Sequence, residues 1–159
     1  MTDDPILPDY AGANVRGIVP GLLAGRAHFV DVPHWFPATV KGSEQVVLLL
    51  IDGLGWDQLR AHAAHAPVLA SLEGGPITTV APSTTATALT SISTGRTPAE
   101  HGIVGYRVDF GGEVVNMLRW SSARGDARAR VAPGDVQPHR PFLGESVPVV
   151  SRADLDGSA

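Results

Sequence analysis

The chain is poor in two residues that often mark function, cysteine and lysine. Among its 159 residues there is no cysteine, and Lys41 is the only lysine. The absence of cysteine excludes disulfides and thiolate metal sites, so any bound metal must be held by carboxylate, imidazole or hydroxyl groups. The absence of a Gly-Lys-Ser or Gly-Lys-Thr triplet excludes the phosphate-binding loop of P-loop NTPases.

The chain also has few charges and no long hydrophobic run. Charged residues make up 18% of the sequence and the net charge is −4, so a broad basic surface for duplex nucleic acid is not expected. The longest apolar run is too short to cross a bilayer, and the acidic start of the chain differs from a secretory signal. Because 43% of the residues are hydrophobic, we expect a folded cytoplasmic protein without a membrane partner, its oligomeric state open.

What the chain does contain is a strand–helix–strand pattern. Residues 46–51 (VVLLLI) are continuously apolar, which is typical of a parallel strand covered on both faces. A helix is predicted over 56–64 and a second strand over 77–80. The pattern predicts an α/β fold, a mostly parallel sheet flanked by helices, with 1–44 as a lead-in segment and 45–106 as the motif-bearing core.

Three further elements are predicted nearer the C-terminus. Residues 84–93 read as a helix that Gly95 ends. Residues 107–110 and 113–117 flank Gly-Gly and predict a β-hairpin. Residues 147–151 predict one more strand, irregular because of Pro148.

Asp52 follows directly after the first predicted strand. A carboxylate there needs a partner, and a metal ion is one candidate. The alternative is a turn residue that caps the helix predicted from Trp56. Gly53 and Gly55 fit a tight turn with the backbone close to a ligand.

Hydroxyl groups gather at the start of the helix predicted over 84–93, on Ser83, Thr84, Thr85 and Thr87. Free N–H groups and the helix dipole favour a phosphate or an oxyanion there. A metal-bound hydroxyl at this position becomes a nucleophile. The alternative is plain N-capping by Ser83 or Thr84.

The histidines give weaker signals. For His101, before Gly102, we favour a structural role, bonding a nearby backbone carbonyl, over metal or substrate contact. Asp135 and His139 have a metal-ligand spacing, but Pro138 argues against a regular helix, and a surface loop is the preferred interpretation.

Taken together, these motifs resemble the alkaline phosphatase superfamily. The segments LIDG (50–53), PSTT (82–85) and LTSISTG (89–95) lie in the order and spacing of that superfamily. The segment PAEHGIVGY (98–106) is similar to the P-x-x-H-G-I-x-G stretch of the nucleotide pyrophosphatase and type I phosphodiesterase branch. The resemblance runs from about residue 46 to residue 106.

The resemblance implies a hydrolase of phosphodiester or pyrophosphate bonds acting on a small phosphate ester. It implies that Thr85 is the nucleophile that forms a covalent phospho-enzyme and is itself a metal ligand. It implies Asp52 as a ligand of one of two divalent metal ions, zinc or, as the alternative, manganese. Thr84 and Ala86, beside the nucleophile, would contact the substrate, and Thr84 is also the main competitor for the nucleophile position.

Two departures from the family pattern keep alternatives open. Ala88 occupies a position where many members have an asparagine that holds a phosphate oxygen. The later Asp and His ligands of the family have no convincing match after Tyr106, so we expect the N-terminal part of a larger enzyme. The alternatives are an inactive remnant or binding domain, and a phosphomutase or sulfatase of the same superfamily.

Overall fold

The computed structural model describes residues 4–24 and 32–155. Parts of the predicted lead-in segment, residues 1–3 and 25–31, lie outside the described residues. The described ranges contain six α-helices: α1 (Ile18–Ala24), α2 (Trp56–Ala61), α3 (Pro67–Ala70), α4 (Thr85–Thr94), α5 (Pro98–His101) and α6 (Pro133–Val136). They contain four strands: β1 (Arg107–Phe110), β2 (Glu113–Asn116), β3 (Ser121–Ser122) and β4 (Gly125–Asp126).

The chain divides into two compact units. One unit comprises Met1–Pro20 and Thr78–Ala159, and the other comprises Gly21–Ile77. Among the described residues, no helix is long and apolar enough to cross a membrane.

The first unit contains a small antiparallel sheet in the order β1-β2-β3-β4. Val108 pairs with Val115 and Phe110 with Glu113, so the hairpin closes at Gly111 and Gly112. Both glycines have a positive φ, a conformation that residues with a Cβ rarely adopt. The hairpin prediction is therefore confirmed.

The hydrophobic core of this unit includes residues of α4 and of the hairpin. Its buried members come from the helix, the hairpin and the loops on either side: Ala86, Ile103, Val115, Met117, Trp120 and Ala127. Trp120 is fully buried, and its indole N–H donates to the carbonyl of Val131 at 2.6 Å. The indole is thus buried without losing its hydrogen bond.

The helix α4 is where the sequence predicts it, to within one residue. It ends at Gly95, which is left-handed at φ 72° and whose N–H donates to the carbonyl of Ser91. Threonine hydroxyls turn back onto the helix, from Thr90 to the carbonyl of Ala86 at 2.8 Å and from Thr94 to that of Thr90 at 2.6 Å. These bonds let a helix rich in Ser and Thr be buried without unpaired hydroxyls.

The predicted mostly parallel sheet is wrong, because the sheet of the described residues is antiparallel throughout. Residues 46–51 adopt no regular secondary structure, and Val47 and Leu49 are 91% and 72% exposed. A continuous apolar run becomes a buried strand only when other strands pair with it and helices cover it. Within the described part of the chain, no strand pairs with this run.

Two other strand predictions also fail. Residues 77–80 make one isolated parallel bridge, between Asn14 and Thr78, rather than a strand. Residues 147–151 have no strand pairing, and Pro148 cannot donate to a ladder.

The second unit contains the helices around the predicted 56–64 segment. The helix α2 ends at Ala61, three residues short of the prediction, and a 3₁₀ turn follows at Ala63–His65. Trp56 is partly exposed on α2, and the guanidinium of Arg60 lies 5.8 Å from its ring centre. The helix is therefore correctly predicted in type but not in length.

Candidate functional site

The candidate nucleophile lies at the first position of α4. Thr84 is the N-cap residue, with extended backbone angles of φ −66° and ψ 149°, and Thr85 is the first helical residue. Both side chains are half-buried, and Pro82 and Ser83 before them are exposed. The N–H groups of the first turn of a helix have no carbonyl partner within it. This end of α4 therefore places a half-buried threonine beside backbone donors suited to an anion.

Thr84 does not cap the helix with its side chain. Its Oγ1 lies 2.9 Å from Oγ1 of Thr87, which is fully buried. The sequence alternative of capping by Thr84 is therefore right for the backbone position and wrong for the hydroxyl. The pair holds the Thr84 side chain against the first turn of α4. The backbone N–H groups of that turn are therefore not capped by the Thr84 hydroxyl.

Ala86 is buried in the core of the first unit, only 4% exposed. It belongs to the same hydrophobic cluster as Ile103 and Val115. Any contact of Ala86 with a substrate therefore falls to its backbone N–H rather than to its side chain.

A buried Ser–His pair joins α4 to α5. Ser91 Oγ lies 2.8 Å from Nε2 of His101, and Nδ1 of His101 accepts the N–H of Ile103 at 3.0 Å. Burial, together with the nearby His139, lowers the pKa of His101 from 6.5 to about 4. The imidazole is thus neutral at pH 7 and takes part in two buried hydrogen bonds. Its partners are a hydroxyl and an N–H rather than the predicted carbonyl.

Asp52 belongs to the second unit, whereas Thr84, Thr85 and Ala86 belong to the first. Asp52 is an exposed residue on the turn that precedes α2, and the next residue, Gly53, has a φ of 75°. The turn geometry predicted for the glycine at 53 is present.

The described residues do not assemble a metal centre of their own. In residues 4–24 and 32–155, no three His, Asp or Glu side chains are grouped so that they could hold one ion. Asp135 is exposed on α6, and Nε2 of His139 lies 3.2 Å from the carbonyl of Glu100. A pair of divalent ions therefore does not fit these residues alone.

A family model described as type I phosphodiesterase / nucleotide pyrophosphatase matches residues 46–153, more than half of the chain. The chain belongs to the type I phosphodiesterase / nucleotide pyrophosphatase family. The match confirms the resemblance and extends it beyond residue 106. No curated protein and no solved structure gives a significant match to the chain.

Membership of this family supports hydrolysis of phosphodiester or pyrophosphate bonds, with a small phosphate ester as substrate. The matched segment includes both the turn of Asp52 and the start of α4. The sequence reasoning missed the Ser91–His101 pair. Its only signal was a serine on the buried face of α4 ten residues before a histidine.

Proposed function

We propose that this phosphodiesterase-family chain acts through Thr85 as a nucleophile on phosphorus and through Asp52 as a ligand of one of two divalent ions, zinc or manganese. The observation that supports Thr85 is its place at the first position of α4, half-buried and within the segment that matches the family. Asp52 would supply one ligand, and the described residues contain no cluster of three His, Asp or Glu side chains that would complete the site.

The reaction at Thr85 proceeds in two displacements. The hydroxyl oxygen bonds to phosphorus and its proton passes to solvent, while the alcohol or phosphate leaving group departs with the electrons of its bond. Water then attacks the phosphorus of the threonine-linked ester, which leaves as a phosphate monoester, and a proton returns to the threonine oxygen. Divalent ions held in part by Asp52 would neutralise charge on the phosphate and lower the pKa of an attacking oxygen.

The first turn of α4 would orient the phosphoryl group. The backbone N–H groups of Ala86 and Thr87 are donors of the kind that stabilise charge on the non-bridging oxygens. Ala88 has no side-chain amide to offer to the phosphate, and the Thr84 hydroxyl is paired with the hydroxyl of Thr87. Recognition of the phosphate at this end of α4 thus depends mainly on backbone groups.

The test uses the protein expressed from its natural reading frame, with zinc or manganese and the 4-nitrophenyl ester of thymidine 5′-phosphate. We expect metal-dependent release of nitrophenol and, after acid quench, a nucleotidyl adduct on the peptide that contains Thr85. Thr85→Ala should abolish both, a loss of several orders of magnitude in rate. Thr39→Ala, at an exposed threonine of the second unit, is the matched control and should behave as the wild type.

Three results would contradict the proposal in different ways. An adduct on Thr84 would shift the nucleophile by one residue. Turnover unaffected by Asp52→Ala would remove that carboxylate from the metal site. Phosphate-ester binding without turnover or adduct would favour a non-catalytic binding domain.

A further inference from the structure

Residues 9–20, which we call the N-terminal strap, run alongside both ends of α4. The strap lies outside the segment that matches the family, residues 46–153. We propose that Tyr10, Asn14 and Arg16 of the N-terminal strap are positioning residues that set the first turn of α4. This inference rests on the proposed function insofar as that turn presents Thr85.

Asn14 anchors the strap to the chain that leads into α4. It is buried, 1% exposed, and its Nδ2 donates to Oγ1 of Thr78 at 3.0 Å and to the carbonyl of Thr79 at 2.9 Å. Its Oδ1 accepts the N–H of Arg16 at 3.0 Å. Two backbone bonds flank it, Val15 N–H to the Thr78 carbonyl at 2.9 Å and Thr78 N–H to the Ala13 carbonyl at 2.8 Å. A buried amide whose groups are all paired fixes one register between the two segments.

Tyr10 holds the approach to the N-terminus of α4. Its hydroxyl oxygen accepts the N–H of Ala81 at 3.1 Å. Ala81 lies three residues before the N-cap Thr84, and residues 81–83 are all exposed. Because an exposed approach has little packing to hold it, this hydrogen bond restricts where α4 begins.

Arg16 connects this approach to the other end of the helix. Its Nη1 donates to the carbonyl of Gly95 at 3.4 Å, beside the C-terminus of α4, where a cation is favoured by the helix dipole. Its Nε donates to the carbonyl of Tyr10 at 3.0 Å, and Nη2 donates to the same oxygen. A Cβ at Gly95 would lie 2.4 Å from Cγ of Pro20, so the end of the strap also packs closely on this turn.

The strap therefore links the two ends of α4 through one pair of residues, Tyr10 and Arg16. A helix held at both ends keeps its first-turn N–H groups and Thr85 in one orientation. Catalytic groups need to be placed to within a fraction of an ångström, and supporting hydrogen bonds supply that order. The strap would thus lower the cost of organising the nucleophile before substrate binds.

The test compares Tyr10→Phe with Tyr106→Phe in the protein expressed from its natural reading frame. Tyr106 is the matched control, since its hydroxyl bonds to the side chain of Asn116 on the hairpin and not to the approach of α4. Amide hydrogen exchange is followed at Ala81 and Ala88, whose N–H groups bond to Tyr10 and to the carbonyl of Thr84. We expect exchange at both to rise about five-fold in Tyr10→Phe only, with hairpin amides unchanged.

A second readout separates positioning from simple stabilisation. With saturating nitrophenyl thymidine phosphate and zinc, the rate of adduct formation on Thr85 should fall in Tyr10→Phe while the midpoint of global unfolding stays at the wild-type value. Arg16→Lys keeps the positive charge but loses the guanidinium group, whose N–H groups reach the carbonyls of Tyr10 and Gly95. The substitution should therefore raise the rate of amide hydrogen exchange at Gly95.

Equal exchange in the two tyrosine variants would overturn the proposal, as would a uniform rise across α4 and the hairpin. If the wild type forms no adduct on Thr85 yet Tyr10→Phe still loosens α4, the proposed nucleophile is wrong. In that case the N-terminal strap orients α4, but Thr85 is not the catalytic group.

Discussion

The hydroxyl oxygen of Ser91 lies 2.8 Å from Nε2 of His101, and both side chains are buried. Because Nδ1 of His101 accepts the N–H of Ile103, the ring proton resides on Nε2 and is donated to Ser91. The pair therefore connects the middle of α4 to the end of α5 through one neutral imidazole.

Removal of the serine hydroxyl should destabilise the first unit. Ser91→Ala leaves the buried N–H of His101 without its acceptor, and we expect a loss of about 1–3 kcal/mol in the free energy of unfolding. Ser93→Ala is the matched control, since Ser93 is half-buried and bonds only locally, to the carbonyl of Thr90 at 3.2 Å. Urea unfolding of both variants checks this. Equal losses would mean that the Ser91–His101 bond contributes nothing specific.

Acid should lower the free energy of unfolding over the pH range in which His101 binds a proton in the unfolded but not in the folded state. Its pKa is about 4 when folded and 6.5 ordinarily, so between these values the unfolded state binds more protons. The free energy of unfolding therefore falls as pH falls from 6.5 toward 4. His101→Gln should flatten this dependence, and His62→Gln, at an exposed histidine, should not. Urea midpoints between pH 7 and pH 4.5 test it, and a slope that survives in His101→Gln would refute the assignment.

Glu113 should titrate far below an ordinary glutamate. Hydrogen bonds from Arg130, the nearest at 2.6 Å, and from Ser122 lower the pKa of Glu113 to about 2. We expect Arg130→Gln to raise that pKa toward the ordinary 4.5, because the strongest donor is lost while Ser122 remains. The same change at Arg140 is the control. Carbon-detected NMR of the carboxylate follows the titration, and an unchanged value in Arg130→Gln would contradict the pairing.

The Thr84–Thr87 hydroxyl pair predicts a difference between two small substitutions. Thr84→Ala leaves the buried hydroxyl of Thr87 without its partner and should cost about 1 kcal/mol in stability. Thr84→Ser keeps the hydroxyl and should cost less. Thermal unfolding compares the two. If the serine variant is no more stable than the alanine variant, the hydroxyl pair does not contribute to stability.

The exposed apolar run at 46–51 should promote self-association. Val47 and Leu49 are largely exposed, so the double variant Val47→Ser, Leu49→Ser should change the free energy of unfolding by less than about 0.5 kcal/mol. It should also reduce light scattering at high protein concentration. Val80→Ser, at a residue 1% exposed, is the contrasting control and should destabilise the fold. A double variant that unfolds more easily would show that this run is buried.

Local patterns allowed several parts of the first unit to be predicted. Gly111 and Gly112 between two β-prone runs determine the hairpin, because their backbone angles suit few other residues. Gly95 likewise determines the end of α4. The motifs at 50–53, 82–85 and 98–106 determined the family, which the match over residues 46–153 confirms.

Only the tertiary structure decided how the remaining segments are paired and buried. The run at 46–51 has the composition of a buried strand, yet burial depends on neighbours, and the described residues offer it no strand partner. The contacts of Asn14 with Thr78 and of Ser91 with His101 likewise join residues whose local sequence shows no sign of the other. Turns and helix ends follow from the angles that each residue permits, whereas sheets and buried polar pairs depend on which distant segments meet.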